Sequence, residues 1–260
     1  MIMRQVLADS QLVFARSLRD ACRQAPVVFV APTLLAAAIV LLFDGIYGNI
    51  AQADGYPGDF IDWVAPAAVF LSVFLGAGVT AASLISDLRS GYLDRLRLLS
   101  IAPAAMIVGR AAFDAVRVLP PAAAVFGVSL LLGASHHGGA AGLLGILAVC
   151  CALAVAWNGI FYAAALITVN PAIIQGLQPV TFMPAVMFST FWVPTALMPA
   201  WYRWISDHNP ATPVIDAGRS IMFGATDWDR MATSAIVLLC LAALTYAVAG
   251  RRLARLLRSA

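Results

Sequence analysis

Six apolar runs of about membrane-crossing length dominate this chain, and they restrict it to helices packed in lipid. They cover 26–43, 63–85, 104–133, 140–168, 174–198 and 231–250. A helix needs about 20 predominantly apolar residues to cross the hydrocarbon layer, where its backbone must satisfy its own hydrogen bonds. Charged residues make up 11% of the chain and hydrophobic ones 62%, whereas a soluble domain carries roughly 25% charged residues. The expected fold is therefore an all-α integral membrane protein with six transmembrane helices. The third and fourth runs are long enough to tilt or to extend beyond the bilayer. Pro120-Pro121 is expected to kink the third.

Every basic residue is Arg and every acidic residue is Asp; Lys and Glu are absent. A phosphate-binding P-loop requires a Lys that reaches the nucleotide phosphates, so this chain cannot hold one. Any ATP that drives it binds elsewhere. Cys22, Cys150, Cys151 and Cys240 show no C-x-x-C spacing and suggest neither a disulfide framework nor a metal site. The adjacent His136 and His137 lie in a Gly-rich stretch that reads as a turn between spans three and four. The polar stretch before Pro26 is too long for a usual signal-peptide start, so no cleavable signal is expected.

Loop charges orient the spans, because cytoplasmic loops carry the excess of basic residues. Arg4, Arg16, Arg19 and Arg23 precede the first span, Arg89, Arg95 and Arg97 follow the second, and Arg251, Arg252, Arg255 and Arg258 follow the last. In a six-span chain these regions share one side. The opposite side holds Asp44, Asp54, Asp59 and Asp62 without any Arg between them. Both termini are expected in the cytoplasm.

Three segments outside the spans carry pattern. Residues 4–25 read as an amphipathic helix in the membrane interface, with Leu7, Phe14 and Leu18 on one side and Arg16, Arg19, Asp20 and Arg23 on the other. Such a helix serves as an anchor, or also touches a cytoplasmic partner. Residues 87–97, Asp-Leu-Arg-Ser-Gly-Tyr-Leu-Asp-Arg-Leu-Arg, concentrate charge where the chain should surface into water. Ser86 suits an N-cap and Asp87 a first turn, and Gly91 permits a close approach. The spacing predicts a short cytoplasmic helix suited to a groove on another protein; the alternative is a solvated, Arg-rich loop. Residues 195–230 hold Trp201, Tyr202 and Trp204 and then an apolar stretch interrupted by Asp216 and Arg219. Those two are three apart and can pair on one helix face. The stretch is too short to span, which predicts a re-entrant or interfacial element before the last span, or an ordinary outer loop with belt aromatics.

At this point the chain resembles the ABC-2 family of ABC-transporter permeases. The carriers are Asp87, Arg89, Gly91, Asp94, Leu96 and Arg97 in the loop between the second and third spans. The branch of daunorubicin-resistance permeases is closer still, through Pro103, Gly109-Arg110, Asp114 and Arg117, and through Met198-Pro199-Ala200-Trp201, Asn209-Pro210 and Asp216-Ala217-Gly218-Arg219. The resemblance implies three parts: a cytoplasmic amphipathic helix over 1–25, an ABC-2 transmembrane domain over 26–250 and a basic cytoplasmic tail over 251–260. It implies a multi-pass protein of the bacterial plasma membrane. Its partners would be two copies of an ABC ATPase, which carry ATP and Mg, and a second permease chain, identical or related. The docking and coupling residues would be Arg16, Arg19 and Arg23 with Asp87, Arg89, Gly91, Asp94, Arg95, Leu96 and Arg97. The chain itself would hold no cofactor or metal and have no catalytic residues.

Within the apolar runs, Arg110, Asp114 and Arg117 fall at i, i+4 and i+7 and share a face of span three. A charge at membrane depth costs on the order of 3 kcal/mol, which an Arg-Asp-Arg ladder partly offsets. The ladder reads either as a joint between the docking loop and the transport path or as a structural network. Asn158, Asn170, Gln175 and Gln178 are the main amides of spans four and five, with Asn170-Pro171 a turn between them. Phe182, Met187, Phe188 and Phe191 suit the path of an amphipathic substrate, or plain helix packing. The expected function is the permease of an ATP-driven exporter of hydrophobic or amphipathic drugs or lipids. The alternatives are an ABC-2 permease for a lipid-linked glycan, an ion-coupled secondary transporter using Asp114 and Arg117, and an intramembrane enzyme. Secondary transporters usually show more spans and inverted repeats, and the enzyme reading lacks a metal cluster or nucleophile motif.

Overall fold

The computed structural model describes residues 2–51, 59–90 and 103–259, and among these every regular element is a helix. Helix α1 (Ile2–Arg23) runs through a π-helical turn, Pro26–Val30, into α2 (Ala31–Ala51). The second apolar run forms α3 (Phe60–Leu75) and α4 (Val79–Arg89), and the third forms α5 (Pro103–Arg117) and α6 (Leu119–Leu131). Then come α7 (Gly139–Thr168), α8 (Pro171–Met187), the short α9 (Ala200–Asp207) and α10 (Ala211–Met222), and α11 (Trp228–Ser259).

Among the described residues, five segments are long and apolar enough to cross a membrane: Pro26–Gly48, Phe60–Arg89, Ala105–Leu131, Gly139–Thr168 and Trp228–Leu256. The protein is a multi-pass membrane protein. In the 18-residue apolar stretch of the α3–α4 segment 78% is buried, against 22% in that of the first segment and 11% in that of the last, so the second crossing is the centre of the bundle and the first and last face outward. Leu34 and Leu42 on α2, and Leu239 and Leu244 on α11, are exposed, as lipid-facing side chains would be. Helix α7 packs against α3, α4, α5, α10 and α11.

The predicted kink in the third run is present as a break at Val118, two residues before Pro120 in the first turn of α6. A second break, within 60–89, had no sequence expectation. Helix α3 stops at Gly76, and Gly78 takes φ +83, a left-handed conformation that favours glycine. The backbone groups freed there are bonded by amides from two other helices. Asn158 Oδ1 accepts from Gly78 N at 3.2 Å, and Gln178 Nε2 donates to Leu75 O at 2.8 Å. Two of the polar residues noted in spans four and five thus compensate a broken span two.

The fifth run departs from expectation. It was read to residue 198, but α8 is 17 residues long and ends at Met187. Pro179 and Pro184 lie inside it, and each removes a backbone donor. Its terminal carbonyls are held from outside the helix: Asn209 Nδ2 donates to Pro184 O at 2.9 Å and Phe188 O at 2.8 Å, and the Tyr202 hydroxyl donates to Met187 O. Partial burial raises the Tyr202 phenol above its usual range, which keeps it a donor. At the other end, Asn170 caps α8 as expected of the Asn-Pro turn, accepting from Ala172 N at 3.0 Å.

Helix α1 lies along α5, at the end of the bundle where α4 stops and α5 begins. Its buried side is Ser10, Val13 and Ala21 with half-buried Phe14, while Leu7 and Leu18 are exposed. The buried face is thus rotated from the Leu7–Phe14–Leu18 side read in the sequence, because small residues allow α1 to approach Gly109. A Cβ there would lie 2.6 Å from the carbonyl oxygen of Ser10 and 2.8 Å from Cβ of Val13. Since the first obstacle is backbone, relief requires α1 to move. Gly109→Ala is expected to cost about 1–3 kcal/mol, read as a melting-point drop of about 2–4 °C per kcal/mol in the purified protein. An unchanged midpoint would show that α1 is not seated on α5.

Candidate functional site

The charges of span three meet a polar stripe on α4. Thr80, Ser83 and Asp87 recur at i, i+3 and i+7, so they share one face of that helix, and they oppose Asp114 and Arg110 on α5. Arg110, 5% exposed, donates to a carboxylate oxygen of Asp87, to Thr80 O at 3.2 Å and to Ser83 Oγ at 3.3 Å. Asp87 accepts a second bond, from Nη2 of Arg16 on α1, at 2.6 Å. One buried carboxylate therefore ties three helices together. Arg16 also pairs with Asp20 at 3.6 Å.

Deeper in the span, Asp114 is fully buried and accepts from Thr80 Oγ1 at 3.0 Å, from the Tyr162 hydroxyl of α7 and from Nε of Arg117 at 3.3 Å. Arg117, 3% exposed, lies against the Gly76 break; a Cβ on Gly76 would meet its Nη1 at 2.7 Å. A cation suits that place, at the C-terminal end of α3, where the helix dipole is negative. The expected ladder is thus two sites rather than one continuous run. Asp114 pairs with Arg117, and Arg110 turns away to Asp87 across the helix pair.

The structure also changes the reading of residues 86–89. They are the last turn of α4, so Ser86 lies within a helix rather than capping a new one, and Asp87 is buried rather than solvated. Asp87 and Arg16 face into the protein. Arg19, Arg23 and Arg89 are exposed, and Arg89 donates to Val169 O at 2.8 Å, joining the end of α4 to the α7–α8 turn. Gly91, Asp94, Arg95, Leu96 and Arg97 lie outside the described residues.

A second polar cluster holds the opposite end. Asp216 and Arg219 pair on α10 at 2.8 Å, as their spacing predicted. Arg219 donates further to Trp63 O at 3.0 Å, to Phe191 O at 3.1 Å and to Thr190 O, and its guanidinium stacks 3.7 Å from the Trp63 ring centroid. It satisfies the backbone left open after α8 ends. Nine residues of α10 are buried, so this helix is embedded in the bundle, while Trp201 and Trp204 on α9 are exposed. The residues read as a transport path do not form one surface. Phe191 is a core side chain packed at a tilt against Trp192; Phe182 and Met187 are half-buried against the core; Phe188 lines a cleft of about 420 Å³ with Trp157, Trp204 and Leu241. His136 and His137 form the expected turn, with His137 N bonded to Met222 O at 3.0 Å.

Sequence reasoning missed Thr80, Ser83 and Tyr162. A signal existed for each: Thr80 and Ser83 extend the face of Asp87, and Tyr162 follows Asn158 by four positions in an otherwise apolar span.

The architecture is that of a multi-pass membrane protein with charged joints inside its helical bundle. The ABC-2 type transporter family model matches residues 9–223, and the chain belongs to that family. It is similar to the probable doxorubicin resistance ABC transporter permease protein DrrC of Mycobacterium tuberculosis, in strains CDC 1551 / Oshkosh and ATCC 25618 / H37Rv. Identity is 23% over 220 residues, covering 85% of this chain and 77% of each relative.

Proposed function

We propose that this chain is the permease subunit of an ATP-driven exporter that moves hydrophobic or amphipathic compounds, drugs or lipids, out across a bacterial plasma membrane. The observation that carries the reading is Asp87. It lies on the helix that leads directly into residues 91–102 and grips both α1 and α5. Force delivered to that loop by a companion ATPase would reach the membrane helices through this carboxylate. The similarity to a doxorubicin resistance permease favours a drug-like cargo. Residues 86–99 with Arg19 and Arg23 of α1 form the docking surface for one ATPase subunit, and a second permease chain docked on a second ATPase copy completes the transporter, the two ATPases supplying ATP and Mg.

In this reading α8 is the sixth crossing, fifth in order. Its 17 residues rise about 26 Å at about 1.5 Å each, close to the roughly 30 Å hydrocarbon layer. Helix α1 lies in the cytoplasmic interface and both termini are cytoplasmic. Leu253, near the end of α11, borders the same small hollow as Leu84, Met106 and Arg110, which supports both termini being at the α1 end. A tag inserted at residue 54 is expected to react from outside intact cells; reaction only after lysis would reverse the orientation.

The test of function is reconstitution with the cognate ATPase. Vanadate-sensitive transport of an amphipathic dye is expected from the complex and not from the permease alone. Gly91→Trp should retain ATP hydrolysis while transport falls about tenfold, a change that needs only about 1.4 kcal/mol. Transport by the permease alone would overturn the proposal.

A further inference from the structure

Helix α11 runs unbroken from Trp228 to Ser259, longer than one crossing requires. Trp228 is 75% exposed, which suits a residue in the aromatic belt at a membrane surface. Arg251 lies about 35 Å further along the helix, at about 1.5 Å per residue. The hydrocarbon layer is about 30 Å thick, and the headgroup layers bring the total to about 40–45 Å. Arg251, Arg252 and Arg255 therefore fall at the depth of the lipid phosphates on the far side, and all three are exposed.

Packing fixes the direction in which these arginines point. One side of α11 is buried through Leu238, Thr245, Ala249 and Leu253. Leu253 sits beside Leu84 and Met106, and Leu256 packs against the core. The end of α11 is thus seated on the bundle and does not trail into water. On the other side Cys240, Leu244 and Ala247 are exposed, and Arg251 and Arg255 continue that stripe at helical spacing. The surface that meets acyl chains runs directly into guanidinium groups. No Asp occurs from 230 to 260, and among the described residues Arg251 and Arg252 pair with no carboxylate.

We infer that this face of α11 binds anionic phospholipid, with the headgroup phosphate on Arg251, Arg252 and Arg255 and the acyl chains along Leu244 and Ala247. A guanidinium presents paired N–H donors that match two phosphate oxygens, and basic groups next to a membrane span attract anionic lipid. An acidic protein surface would also meet the charges, but it would have to displace the lipid lying along the same stripe. The orientation reading gives the leaflet, the cytoplasmic one. Binding itself requires neither that reading nor an ATPase.

The test uses the full chain in phosphatidylcholine nanodiscs that contain a minor share of phosphatidylglycerol with a diazirine in its acyl chain. Crosslinks, mapped by mass spectrometry, are expected within 240–251. Unlabelled phosphatidylglycerol should compete about tenfold better than added phosphatidylcholine. Inorganic phosphate should not compete, which separates a lipid headgroup from a free anion. Combining Arg251→Gln, Arg252→Gln and Arg255→Gln, at exposed positions, should cut labelling of this segment about tenfold with an unchanged melting point. The matching Arg→Lys combination keeps the charge and should retain most of the labelling. Labelling confined to other helices, equal competition by the two lipids, displacement by phosphate, or full labelling of the folded Gln variant would overturn the inference. A Gln variant that keeps its labelling but no longer holds an ATPase or a second copy in detergent would assign the face to a protein instead. Labelling as expected in a chain whose ATPase complex moves nothing would support this surface and remove the export reading alone.

Discussion

Asp114→Ala is expected to abolish stable assembly of the bundle. The substitution leaves Arg117 3% exposed and without its carboxylate partner, and it strips an acceptor from Thr80 and Tyr162. Removing one partner of a buried ion pair costs about 3–5 kcal/mol, a large share of the roughly 5–15 kcal/mol that holds a typical domain folded. Asp114→Asn should be milder, because the amide oxygen still accepts from the two hydroxyls. Size-exclusion profiles of detergent-extracted protein, with melting curves, check the order: wild type, then Asn, then Ala. An Ala variant as monodisperse and heat-stable as the wild type would show that Arg117 is satisfied without Asp114.

Asp87→Asn is expected to leave the protein folded but to disconnect hydrolysis from transport. Arg110 keeps its bonds to Thr80 and Ser83, so the α4–α5 contact persists. The tether to α1 is weakened, since a neutral amide replaces the carboxylate that Arg16 grips. A ligand or partner shifts a conformational equilibrium only by the difference in its contacts with the two states, and this carboxylate provides such a contact. Transport per ATP should fall about tenfold in the reconstituted complex, equivalent to about 1.4 kcal/mol. Arg16→Ala should act in the same direction with a smaller effect, because the Arg16 side chain is 39% exposed and water screens such a pair. Unchanged coupling in Asp87→Asn would make the triad purely structural.

Spans and charges were legible in the sequence because lipid imposes simple demands. Long apolar runs must become helices, and isolated charges in them must find partners. The pairs Asp114–Arg117 and Asp216–Arg219 followed from helical spacing alone. What the sequence hid depends on three-dimensional neighbours. The Gly76–Gly78 break looked like part of one span, because its stabilising amides, Asn158 and Gln178, lie 80 and 103 positions from their partners. Asp87 looked solvated because it adjoins a charged loop; its partners, Arg16 and Arg110, come from helices on either side of the chain order. Phe191 looked available to cargo because aromatic residues mark paths and cores alike.

The amides that hold the α3–α4 break have a consequence for biogenesis. The segment 60–89 leaves the ribosome before Asn158 or Gln178 has been made. During insertion, nothing yet bonds the freed amide of Gly78 or the carbonyl of Leu75, so an uninterrupted helix is the form the translocon would meet. The bend then arises only when the later hairpin of α7 and α8 arrives, which makes maturation of the central segment a late, post-insertion event.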